Sequence, residues 1–260
     1  MGEVVAFERA EVHVAGRSIL GPVTLSIGSS ERWAVLGPNG SGKTTLLRLA
    51  GAVRQPTAGR VRILGATLGR VDVRSLRERI AFVGHAVADR IPPGLPVRDV
   101  VMTGKHATLV PWLQNLGADD RRRADDLLDR LGCGHLDGQA FESCSQGERQ
   151  RILLARSLFR RAELILLDEP AAGLDLPGRE ALVSALEASG ELHDVPTILV
   201  THHLEELPTT VTHAALLREG RLLAAGPVEE VLTDPNLSRC YDLSLAVRRA
   251  EGRWTATASR

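Results

Sequence analysis

Glycines, a lysine and three hydroxyls are grouped in the run Gly37, Pro38, Asn39, Gly40, Ser41, Gly42, Lys43, Thr44, Thr45. Its spacing, Gly37-x-x-x-x-Gly42-Lys43-Thr44, is that of a loop that cradles phosphate. The chemistry requires these residue types at these intervals. Glycines let the backbone enter conformations closed to other residues, so successive N–H groups turn inward on phosphate oxygens. A helix starting at the end of the loop adds its positive dipole end. Lys43 would reach the β and γ phosphates of a nucleotide, Thr44 would offer its hydroxyl to Mg²⁺, and Thr45 could add a hydrogen bond to the phosphates. A second group lies far along the chain, where the apolar run Leu164 to Leu167 ends in Asp168, Glu169 and Pro170. Open α/β sheets bind ligands at such strand ends. Asp168 would hold Mg²⁺ through water. Glu169, one residue on, projects differently and could orient or deprotonate a water attacking the γ-phosphate.

Strands and helices must carry these groups to one place. Residues 3 to 28 alternate apolar and polar, with breaks at Ala15-Gly16 and Gly21-Pro22, and read as short antiparallel strands. Arg32 to Leu36 is a buried strand running into the glycine loop, and Leu46 to Ala50 continues as a helix. Further strands are predicted at 60–64 and 80–83, with a short helix over 73–79 between them. From about His85 to Arg160 the chain turns to Pro-rich loops and helices over 119–131 and 146–158, an insertion in an α/β domain. Alternation resumes with strands at 164–167, 197–200 and 214–217 and a helix over 178–188. These strands are too apolar to be half exposed and belong in a parallel sheet covered on both faces. The tail, 243–247 and 254–258 around Glu251-Gly252, could be a hairpin.

Composition excludes other classes. The 260 residues balance 32 basic against 32 acidic side chains, so no global field favours nucleic acid or an anionic membrane surface. Uncharged runs reach 13 residues at most, too short for the roughly 20 apolar residues of a membrane-spanning helix. The N-terminus lacks a basic-then-apolar signal, so a cytosolic location is expected. The three cysteines, Cys133, Cys144 and Cys240, have no metal-ligand spacing and fit reduced thiols. Arg121 to Arg123, followed by acids and leucines, reads as the solvated face of an amphipathic helix, and no nucleic-acid partner is expected.

Cys144-Ser145-Gln146-Gly147-Glu148-Arg149-Gln150-Arg151 resembles the signature of ATP-binding cassette (ABC) proteins. Together with the phosphate loop, Asp168-Glu169, the loop Ala171-Ala-Gly-Leu-Asp175 and Thr201-His202 after an apolar strand, the resemblance spans about residues 3 to 235 in the family's order. It implies an α/β fold: a P-loop NTPase with a parallel-sheet core, an N-terminal antiparallel β-subdomain and an inserted helical subdomain. The ATPase domain would cover 1–240, with core 1–84 and 161–240, helical subdomain about 85–160, and a tail at 241–260. The family also implies a head-to-tail dimer, a second copy or a paralogous ATPase, with ATP between one subunit's P-loop and the other's signature. Ser145, Gln146, Gly147 and Glu148 would then face the γ-phosphate across the interface, Asp175 would link the two sites, and His202 would contact the γ-phosphate near Glu169. Transmembrane permease subunits would be the partners, with a substrate-binding protein acting indirectly, and the chain would sit peripherally on the inner face of the cell membrane. The run Val97-Arg-Asp-Val-Val-x-x-Gly-Lys105 is similar to import ATPases for iron-siderophore, cobalamin and molybdate-type cargo. The alternative is a soluble ABC ATPase acting on ribosomes, DNA or protein assemblies.

Three positions depart from the family pattern. The adenine-stacking aromatic is replaced by Val14, with His13 the other candidate. A glutamine near Mg²⁺ and the attacking water is replaced by His85, whose imidazole could accept from water or ligate the metal. Because it titrates near pH 6.5, the sequence predicts ATPase activity that falls on acidification more steeply than in His85→Gln. The signature reads Cys-Ser-Gln-Gly-Glu where Leu-Ser-Gly-Gly-Gln is usual, which would leave Cys144 a thiol close to the dimer interface, open to a bulky maleimide.

Overall fold

The computed structural model describes residues 2–84, 91–106, 116–188 and 194–259. Strands β1 (Glu3–Val14) and β2 (Arg17–Gly28) pair antiparallel across a turn in which Ala15 and Gly16 both take positive φ, 47° and 77°. The second break expected at Gly21-Pro22 does not occur. Pro22 has no N–H to give the ladder, so Gly21 and Pro22 together oppose Glu11 as a bulge, between the pairs Ala10 with Val23 and Val12 with Leu20. The Gly21 N–H is satisfied elsewhere, by the Gly220 carbonyl at 2.7 Å. The result is two long strands in place of several short ones. With β4 (Ala58–Ile63) and β5 (Ala66–Thr67) they form a four-stranded antiparallel sheet in the order β2-β1-β4-β5.

The second sheet runs β10-β9-β3-β8-β7-β6. In it β3 (Arg32–Leu36), β6 (Ile80–Val83), β7 (Leu164–Asp168), β8 (Thr197–Val200) and β9 (His213–Arg218) are parallel, and β10 (Arg221–Pro227) closes one edge antiparallel to β9. The edge strand is not among those predicted, because Leu222 to Ala224 are all half-buried and show no alternation. Successive residues of the parallel strands enter different cores. Leu164 and Leu166 pack with the antiparallel sheet and with α1 (Lys43–Ala50), whereas Ile165 and Leu167 pack with helices on the opposite face. This two-sided burial is why these strands read as continuous apolar runs.

A short helix, α2 (Val73–Glu78), precedes β6. Between β6 and β7 the chain builds α3 (Val97–Met102), α4 (Ala118–Arg130) and α5 (Gln146–Leu158). Arg98 ties α3 to Asp125 of α4 and to Asp137. Arg123 departs from the solvated face expected of it: its guanidinium donates to the Phe159 and Leu158 carbonyls at 2.6 and 2.9 Å, capping the C-terminus of α5. After β7 come α6 (Leu176–Ala188), then α7 (Val228–Val231) and α8 (Asp234–Tyr241) beyond β10. The tail strands β11 (Leu245–Ala250) and β12 (Arg253–Ala258) pair about Glu251 and Gly252, both at positive φ.

Candidate functional site

The loop after β3 leaves the sheet through Gly37, at φ 148°. A Cβ there would lie 2.0 Å from the Leu217 carbonyl oxygen, so only glycine allows the exit beside β9. The loop ends at Gly42, φ 102°, and α1 begins with Lys43. Lys43 is buried, 4% exposed, and its ammonium donates to the Gly37 and Pro38 carbonyls at 2.8 and 3.1 Å. Burial pulls its pKa below the ordinary lysine value, partly offset by the Glu169 and Asp168 carboxylates. Ser41 Oγ is also buried and has no hydrogen-bond partner among the described residues. A desolvated cation, an orphaned hydroxyl and a helix N-terminus on one loop are together suited to an anion.

The other groups arrive on neighbouring strand ends. Thr44 Oγ1 donates to Asp168 Oδ1 at 3.0 Å, which joins the start of α1 to the end of β7. Glu169 has a left-handed backbone, φ 47°, a conformation uncommon for a residue with a Cβ. Its N–H is held by the Val200 carbonyl at 2.9 Å. Its Oε1 lies 3.9 Å from Lys43 Nζ and 3.4 Å from His202 Nδ1. That nitrogen is buried but not aligned for a hydrogen bond to the carboxylate. The His202 turn follows β8 and is braced by buried Thr201, whose hydroxyl donates to Glu206 and accepts the His203 N–H at 3.1 Å. Lys43, Thr44, Asp168, Glu169 and His202 therefore converge at the carboxyl ends of β3, β7 and β8.

A second group forms where α5 and α6 begin. Ser145 caps α5 in a reciprocal box: its Oγ accepts the Glu148 N–H at 3.4 Å, while Glu148 Oε2 accepts the Ser145 N–H and hydroxyl at 2.7 and 2.8 Å. Those bonds from Ser145 hold the Glu148 carboxyl below the usual glutamate range. Asp175 Oδ1 accepts the Gly178 N–H at 2.9 Å and so caps α6. Gln146 Nε2 donates to the Ala172 carbonyl at 3.2 Å. A Cβ on Gly147 would come within 3.5 Å of Gly178 Cα, so the two helix starts abut.

Cys144 departs from the open thiol expected beside this turn. It is 5% exposed, its Sγ is 3.8 Å from the Ala140 carbonyl, and burial raises its pKa, so it is a shielded, weakly nucleophilic group. Val14 ends β1 and is 43% exposed, available as an apolar platform. His13 is held by Thr57, through its N–H at 3.1 Å and its Nδ1 at 3.2 Å. Asn39 and Gly40 are exposed at the tip of the loop and Thr45 is half-buried on α1. His85 lies outside the described residues.

No cluster of three or more His, Cys, Asp or Glu able to hold a metal occurs among the described residues. Thr44 and Asp168 instead offer two hard oxygens. Such a pair suits Mg²⁺, which keeps several waters and takes other oxygens from phosphates. Two residues escaped the sequence reading. Glu206 braces the His202 turn, and Tyr241 donates from its hydroxyl to the His202 carbonyl at 3.3 Å. Tyr241 is the only tyrosine in the chain, the one sequence signal that could have drawn notice to it.

Comparison with known proteins follows the same lines. The family model described as "ABC transporter" matches residues 20–172. An ABC transporter ATP-binding protein of Streptococcus mutans is 37% identical over 240 residues, 92% of each chain. The hemin import ATP-binding protein of Streptomyces coelicolor is 34% identical over 248 residues, covering 95% of this chain and 86% of that one. Among solved structures, a component of an ABC transporter complex from Clostridium perfringens superposes with a TM-score of 0.77 at 25% identity, covering 92% of this chain and 94% of that one.

Proposed function

This chain belongs to the ABC transporter family as an ATP-binding, transport-coupled ATPase, and from that premise we propose that it drives uptake of a metal complex through separate membrane-spanning subunits. The observation that carries the reading is the convergence of Lys43, Glu169 and His202 within 4 Å contacts at three adjacent strand ends. Lys43 and the loop N–H groups of residues 39–45 hold the β and γ phosphates, and Val14 contacts the adenine without stacking. Glu169 accepts a proton from the water that attacks the γ-phosphate, and His202 contacts the same phosphate from the next strand. Thr44 and Asp168 hold Mg²⁺, with His85 a further candidate ligand. When bound, the ion neutralises charge on the phosphate oxygens.

The second half of the site comes from a head-to-tail partner, whose Ser145, Gln146, Gly147 and Glu148 close on the γ-phosphate while Asp175 couples the two sites. Residues 1–240 act as the ATPase domain, with 85–160 as the helical subdomain. No helix among the described residues is long and apolar enough to cross a membrane, which supports attachment to the inner face through a permease. The hemin import relative supports a metal complex as cargo, as does the Val97 to Lys105 run. The test is affinity capture of the Glu169→Gln chain from detergent-solubilised membranes, followed by uptake assays in cells lacking the chain. The expected result is a co-purifying polytopic membrane protein and loss of metal-complex uptake. Recovery of ribosomal or DNA-bound partners without a membrane protein would overturn the reading.

A further inference from the structure

The C-terminal segment reaches the nucleotide site from behind. Tyr241, the last residue of α8, donates its hydroxyl to the His202 carbonyl at 3.3 Å, and the Gly37 backbone is near enough to the same hydroxyl to offset part of the rise in its pKa. One side chain thus sits on the backbone of the histidine, close to the first residue of the phosphate loop. Burial pushes the phenol well above its usual pKa, so the hydroxyl stays protonated and able to donate at physiological pH. The neighbouring residue anchors it: Cys240 is fully buried with its Sγ 3.6 Å from the Leu217 carbonyl, the group against which Gly37 packs. Beyond Tyr241, the tail hairpin holds the far end of the same turn. Arg253 donates to the Glu205 carbonyl and pairs with Glu180 of α6 at 3.1 Å. His202 needs such support, since among the described residues Nδ1 makes no hydrogen bond and its ring stacks only on a tilted His203 at 4.0 Å.

We propose that Tyr241 is a positioning residue for hydrolysis, tethering the His202 backbone to the end of α8 so that the imidazole keeps its place beside Glu169. The proposal rests on the reading of His202 as a γ-phosphate contact. The experiment is ATPase kinetics and equilibrium ATP binding on the full-length chain carrying Tyr241→Phe, which keeps the ring and its packing and removes the hydroxyl. Measurements are made well below the thermal midpoint, with His202→Ala alongside. One net hydrogen bond corresponds to roughly a three- to tenfold change, so kcat should fall by about that factor while the Kd for ATP stays within about twofold. An unchanged kcat overturns the proposal. So does a loss of affinity as large as the loss of kcat, which would assign the hydroxyl to the phosphate loop alone. If His202→Ala keeps the parent kcat, the reading of His202 fails instead, whatever Tyr241→Phe shows.

Discussion

The phosphate loop and the signature turn are both helix N-termini, but they treat their polar groups in opposite ways. On the phosphate loop Ser41 Oγ is buried without a partner among the described residues, and Lys43 is a desolvated cation leaning on carbonyls. At the signature the groups satisfy one another: Ser145 and Glu148 close a capping box, Asp175 caps α6, and Gln146 reaches Ala172. The first is preorganised for a ligand at a cost in stability. The second is stable by itself, so in the proposed head-to-tail dimer it would have to exchange internal hydrogen bonds to engage a nucleotide held by the partner.

The contrast can be broken most decisively at Glu169. A general base contributes roughly 10²- to 10⁴-fold, so phosphate release by Glu169→Gln should fall by that factor while ATP binding persists; a variant retaining more than about a tenth of the rate removes Glu169 from that role. Lys43→Met should weaken ATP binding roughly 10- to 100-fold, since charge-assisted bonds are worth about 1.5–3 kcal/mol. Its unliganded thermal midpoint should not fall, because the change removes a buried cation; a clear drop would mean the loop is not held open against its own stability. Ser145→Ala should behave the other way round. Losing an N-cap costs about 0.5–2 kcal/mol, read by chemical denaturation, with ATP binding to the isolated chain unchanged.

The smallest effect concerns pH. Glu148 is held below the ordinary glutamate value of about 4.3 by its bonds from Ser145. Its contribution to α5 is therefore complete above that value and is lost as pH falls through the lowered one. Acid titration of helicity should show Glu148→Gln less stable near neutrality and equal to the parent at the acid end; parallel curves would show that the box contributes nothing.

What could be read from the chain and what could not divide along similar lines. Helix α5 and strand β8 occupy the predicted 146–158 and 197–200, because a Ser-x-x-Glu cap and a fully buried apolar run are local signals. The Gly21-Pro22 break was misread because a bulge depends on the partner strand. β10 was missed because edge position, not alternation, sets its burial. The five motif residues were all visible, but their assembly was not. The left-handed turn at Glu169, beside Lys43 and His202, is held by the Val200 carbonyl of another strand, and Tyr241 bonds a residue 39 positions away.

The division of the molecule into two cores by one sheet has a dynamic consequence. Leu166 and Leu167 are neighbours in β7, yet one belongs to the layer built with the antiparallel strands and α1, the other to the layer of inserted helices. Loosening either layer alone leaves the strands covered on their other side. Amides of β3, β7 and β8 then exchange with solvent only through openings that dismantle both coverings together. The strands that deliver Gly37, Asp168 and Thr201 should thus exchange most slowly among the described residues, and the site is set on the part of the fold that opens last.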